Sequence, residues 1–230
     1  MVVVYYVPIW FQAILGVSAM GSGIRTLALV LSLVFGSILG GGVTFRTGYY
    51  TPSMIVGSLI LSVGAGLLTT WSVTTKQAQW IGYQVIFGFG LGLGMQQGTM
   101  AIQTVLPRKD VSTGTALVFF GQSLGGTVAI SVAQNVFVSK FGDYLGGIEG
   151  LDVVTIVHAG TTGLRRFVPP ELLSQVLDAF SRALVNTFFV ALAASCVGIF
   201  GALGMEWRSI KKGEGQGAKK TNSEIEDMKA

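Results

Sequence analysis

Six apolar stretches, almost free of charge, govern what this chain can become. They run roughly 1–16, 24–44, 51–71, 80–103, 113–137 and 183–206. A helix rises ~1.5 Å per residue and the hydrocarbon core of a bilayer is ~30 Å thick, so ~20 apolar residues are needed to cross it. Five stretches reach that length, and the first, which opens at Met1, does not. Only 11% of the residues are charged. A water-soluble domain carries roughly a quarter, so most of the outer surface must meet lipid. The expectation is an all-α, polytopic transmembrane helical bundle of about six membrane helices, forming the back half of a larger protein.

Charge adds orientation. A net charge of +4 could serve nucleic acid, but the basic residues sit in short connections and the tail, so no nucleic-acid partner is expected. Basic residues near helix ends favour the cytoplasmic side. One set of connections holds Arg46, Arg108, Lys109 and a basic tail; the other holds Arg25, Lys76, Lys140, Arg165, Arg166 and Arg182, mostly in the long connection 138–182. Both chain ends are therefore expected in the cytoplasm, with 138–182 as an extracellular loop. That loop has Gly142, Gly146, Gly147 and Gly150 as breakers, and Pro169-Pro170-Glu171 opens a short amphipathic helix at about 170–182. Residues 208–230 are too polar to fold alone and read as a disordered cytoplasmic tail, with Arg208, Lys211 and Lys212 against anionic lipid. Residues 1–20 lack the basic start of a cleavable signal and carry Tyr5, Tyr6, Trp10 and Gln12, so they read as a shortened membrane helix. The single cysteine, Cys196, excludes an internal disulfide and reads as a small packing residue.

Lipid tails are as apolar as leucine, so membrane helices associate through small residues at close range. Gly36 and Gly40, then Gly90, Gly94 and Gly98, then Gly121 and Gly125 are spaced four apart on three helices, with Gly88 and Gly92 on an adjacent face. They serve either fixed packing or sliding. Polar residues inside spans cost free energy unless they meet a partner or water. Gln12, Gln96, Gln97 and Gln122, with Phe119 and Phe120 as stacking neighbours, are candidates for a cavity that takes a bulky, mostly neutral organic molecule. Hydrogen bonding between helices, with no substrate, is the competing reading. No carboxylate falls at bilayer depth, and the one histidine, His158, lies in the long loop. With no paired acids, Ser–His–Asp set, phosphate loop or His cluster, neither an enzyme nor a metal or other cofactor is expected.

Several segments, in order, resemble one family. Tyr5-Tyr6-Val7-Pro8-Ile9-Trp10-Phe11-Gln12 resembles the YYLPIYFQ stretch of fungal major facilitator drug and toxin efflux carriers. Phe45-Arg46-Thr47-Gly48-Tyr49-Tyr50 is similar to their short cytoplasmic turn, although no acidic residue precedes Arg46. Trp80-Ile81-Gly82-Tyr83-Gln84, Gly90-Leu91-Gly92-Leu93-Gly94, Gln103-Thr104-Val105-Leu106-Pro107, Gln134-Asn135-Val136-Phe137 and Gly201-Ala202-Leu203-Gly204-Met205-Glu206-Trp207 extend the match over about 1–208. The resemblance implies the last six helices of a fourteen-helix drug:proton antiporter of the major facilitator superfamily, in the plasma membrane. It implies multidrug or toxin resistance by proton-coupled efflux of hydrophobic small molecules. A preceding N-terminal domain would then hold the antiporter motif and the coupling carboxylates. The alternative is a truncated, non-transporting membrane protein that packs against a full-length carrier. A homodimer of two such halves ranks third.

Overall fold

Glycine and turn chemistry set the element boundaries. In the computed structural model, the described residues are 1–146, 168–205 and 207. They form α1 (Val2–Leu15), α2 (Ala19–Thr47), α3 (Thr51–Leu68), α4 (Gln77–Met95), α5 (Gln97–Val105), α6 (Val111–Leu145) and α7 (Leu173–Leu203), with no strand among them. Helix α1 stops where Gly16 turns left-handed at φ 63°, and α2 stops the same way at Gly48, φ 77°. An L side chain resists that conformation and glycine does not. Ser18 caps α2, its Oγ accepting from Gly21 N at 3.1 Å. Helices α4 and α5 form one passage of 29 residues interrupted at Gln96. This makes five passages of membrane-crossing length plus the 14-residue α1.

Two kinds of packing hold the bundle. Helix α4 lies between α2, which runs parallel to it, and α3, which runs antiparallel. On the α2 side, Gly88 and Gly92 of α4 meet the Leu29 and Leu33 carbonyls, while Cβ atoms at Gly36 and Gly40 would lie 2.5 and 3.0 Å from the Phe89 and Leu93 carbonyl oxygens. On the α3 side, a Cβ at Gly64 would lie 2.6 Å from Phe87 Cα, one at Gly57 would lie 3.0 Å from Gly94 N, and Gly90 faces the Leu61 backbone. Such approach leaves no room for a side chain, and it gives the backbone-to-backbone contact that membrane helices need.

Helices α1, α6 and α7 meet through rings instead. Tyr6, Phe137, Phe141 and Phe180 form one group, with centroids 5.1–6.2 Å apart. Trp10, Phe11, Trp71, Trp80 and Phe188 form another, joining α1, α4, α7 and the turn after α3. Two polar contacts distant in sequence pin α1: Tyr6 Oη donates to Gln134 Oε1 at 2.7 Å, and Trp10 Nε1 donates to Ser181 Oγ at 3.1 Å.

Several expectations change. Helix α6 continues past 137 to Leu145, with Gly142 inside it, and α7 begins at Leu173 rather than 183, absorbing most of the short helix expected at 170–182. At 35 and 31 residues these helices are ~52 and ~46 Å long, well beyond a ~30 Å core. Their extra turns carry the exposed ion pairs Lys140–Asp143 and Asp178–Arg182, at 3.2 and 2.9 Å. Cys196 points outward from α7 instead of packing within the bundle. Gly121 and Gly125 would each carry a Cβ into open space, and Gly98 would meet only Val118 Cγ1 at 3.8 Å, so these do not sit at tight crossings, whereas Gly94 meets Gly57 through its backbone although its own Cβ direction is open. Residues 147–167 of the long loop, with His158, and the tail 208–230 lie outside the described residues.

Candidate functional site

The interruption at Gln96 arises from composition. Gly88, Gly90, Gly92, Gly94 and Gly98 crowd one stretch, and each costs a helix ~1 kcal/mol relative to alanine. The Gln96 N–H turns to Gly94 O, and helical bonding resumes with Met100 N to Gln96 O at 3.1 Å. On the inner side the break is sealed by a side chain. Gln97 is buried, and its Nε2 donates to Leu93 O at 3.1 Å. Thr44 of α2 donates to Gln97 Oε1 at 3.1 Å and lies 3.2 Å from Ser53 Oγ of α3. One buried network thus ties α2, α3 and α5 at the break, and a glutamine is the side chain able to serve a bare carbonyl and a hydroxyl together.

On the outer side the neighbouring glutamine is free. Gln96 is exposed and lines a groove of about 550 Å³ with Leu33, Val34, Ser37, Ile38, Gly41 and Gly42 of α2 and Met95 of α4. Cβ atoms at Gly41 and Gly42 would meet nothing within 4 Å, so the groove floor stays wide. Ser37 is committed to the fold, its Oγ donating to Leu33 O at 2.9 Å and lying 3.3 Å from Gly92 O. The groove is therefore an apolar trough with one uncommitted amide. That combination suits an organic molecule with a large hydrocarbon face and few hydrogen-bonding groups.

The structure does not gather the six expected cavity residues. Gln96 lines the groove, whereas its neighbour Gln97 faces inward and is spent on the break. Gln12 lies half-buried on α1. Gln122, Phe119 and Phe120 are exposed in the first third of α6, where Phe119 and Phe120 keep 57% and 63% of their surface. Sequence reasoning missed the break itself, Thr44 and Ser53 as the partners of Gln97, and Gly57 and Gly64 as the α3 contacts. The signal for the break was present as alternating glycines from Gly88 to Gly94. Gly57 and Gly64, seven apart, fall on one face of α3.

No protein-family model matches the chain. Curated relatives do. The chain is 49% identical over 213 residues, 92% of its length, to the efflux pump aflT of Aspergillus parasiticus. It is 47% identical over 211 residues to an MFS-type transporter of Claviceps purpurea, and 46% identical over 204 residues to the rubrofusarin-specific efflux pump aurT of Gibberella zeae. In each case the aligned segment covers 37–41% of the relative, so the chain spans about two fifths of the length of the proteins it matches.

Proposed function

The chain belongs, over the segment it shares with them, to the major facilitator (MFS-type) transporters, and from that premise we propose that it forms one helical half of an efflux pump for hydrophobic small molecules. The observation that carries this reading is identity of 44–49% with several fungal efflux pumps along nine tenths of the chain. The trough at Gln96 supports it, since discontinuous membrane helices recur where transporters hold substrate. In this reading a preceding helical domain closes the other wall of the pathway and supplies the proton-coupling carboxylate. The α2–α3 turn with Arg46 and the α5–α6 turn with Arg108 and Lys109 face the cytoplasm, and the plasma membrane is the site of action. Gln96 is the substrate-facing amide, with Gln12, Gln122, Phe119 and Phe120 lining the space shared with the other half. The chain moves its ligand and does not transform it.

The test is efflux from cells of a pump-deficient fungal host making the chain together with such a preceding domain. Preloaded lipophilic aromatic dyes should leave faster than from the empty host, and a protonophore should abolish the difference. Equal retention of every dye tried, with the protein present in the plasma membrane, would refute the reading.

A further inference from the structure

Helix α2 carries glycine at 40, 41 and 42, and packing explains only the first. A Cβ at Gly40 would lie 3.0 Å from the Leu93 carbonyl oxygen and 3.4 Å from Gln97 Nε2, so Gly40 is needed where α2 crosses the break. Cβ atoms at Gly41 and Gly42 would meet nothing within 4 Å. Glycine weakens a helix relative to alanine, so these two positions carry a cost that no neighbouring helix requires. Both line the trough of about 550 Å³. Residues four apart lie over one another on a helix. Leu33, Ser37 and Gly41 thus form one row of the trough wall, and Val34, Ile38 and Gly42 form the next. Each row loses its side chain at the same level. Gly40 fixes that level beside Leu93 and Gln97, hence beside the exposed amide of Gln96. The trough is therefore broadest where its hydrogen-bonding group stands.

An alkyl chain would fill one row and leave the other bare. Two bare rows side by side admit the broader face of a fused ring system, laid on the α2 backbone. Met95 stands on the α4 side of the trough, and a thioether sulfur favours contact with aromatic rings. The Gln96 amide both donates and accepts, which suits a carbonyl or hydroxyl on the ring edge. We propose that Gly41 and Gly42 are the specificity-determining residues of the trough: they admit a flat, fused-ring aromatic with a polar edge and set how broad it can be. This rests on the efflux reading and names the ligand shape that the trough selects.

Efflux of Nile red, a flat fused-ring dye with a carbonyl at its edge, tests it in the pump-deficient host making the chain with its preceding domain. Gly41→Val and Gly42→Leu should slow Nile red efflux about tenfold at equal folded protein, and diphenylhexatriene, a slender rod, by less than about twofold. Gly42→Ala strengthens α2 as leucine does but fills little of the trough, so it should keep more than about half of the Nile red efflux. Unchanged efflux in the leucine variant, equal slowing of both dyes, or an alanine variant as poor as the leucine one, the mark of a hinge, would overturn the proposal. A parent that exports neither dye would refute the efflux reading, and photolabelling of the full chain in nanodiscs with 1-azidopyrene then decides on the site alone. Adducts on Ile38 or Met95 should fall several-fold in Gly42→Leu, and labelling unaffected by that substitution would overturn the site.

Discussion

The α4–α5 passage and α6 are both rich in glycine, yet one is the most enclosed span and the other the least. Of the most apolar stretch of each, 39% of residues are buried in the first and 6% in the second. Gly88, Gly90 and Gly92 are pressed against backbone on two sides, while Gly121 and Gly125 face nothing. The same residue type thus marks a helix crossing in one place and a bare surface in another. What distinguishes them is whether a neighbour presents its own small residues in step. Gly36 and Gly40 of α2 and Gly57 and Gly64 of α3 do so for α4, and no helix does so for the middle of α6. The α2–α3–α4 block is packed backbone to backbone through glycine, while the middle of α6 presents its glycines to open space.

Glycine substitutions should break the comparison most sharply. Gly92→Val drives a side chain into the α2 backbone and should cost about 3 kcal/mol or more, seen as loss of the monodisperse peak after mild heating. Gly125→Ala should change stability by no more than ~1 kcal/mol, toward stabilisation, since alanine is the better helix former. Equal losses would dissolve the distinction between block and open face.

Next in size is the polar seal at the helix break. Gln97→Leu leaves the Leu93 carbonyl without its side-chain donor and Thr44 with Ser53 alone, and should cost about 1–3 kcal/mol in a thermal-unfolding assay. A smaller loss, about 1 kcal/mol, is expected for Ser181→Ala, which removes the acceptor from the buried Trp10 indole on the aromatic side of the bundle. Last come the ion pairs at the ends of α6 and α7. Asp178→Asn should shift stability by less than ~0.5 kcal/mol, and a high-salt unfolding curve of the parent should differ as little, because both partners are well exposed.

The sequence carried the spans well because their cause is local: a long run of apolar side chains needs no partner to declare itself. Helix ends were less legible. At Gly142 a glycine lies inside a helix that Phe137 and Phe141, packed on Phe180, and the Tyr144 hydroxyl, which accepts from Asn186 at 3.2 Å, hold against α7. Tertiary contact there outweighs the breaker. The site was half legible. Gln96 and Gln97 stood out as amides in an apolar run, but their division of labour depends on the break, which turns successive side chains to opposite faces. Gln84 was visible as an amide in the Trp80–Gln84 stretch, but its complete burial is decided only by the assembled fold.

The most direct measurement of the central claim is dye efflux by the complete two-domain carrier bearing Gln96→Leu, with the amount of folded protein matched to the parent. The account predicts that efflux falls about tenfold or more while thermal stability stays within ~1 kcal/mol, since the Gln96 side chain is exposed. Undiminished efflux at equal protein would contradict it, and would move the ligand away from the trough at the broken helix.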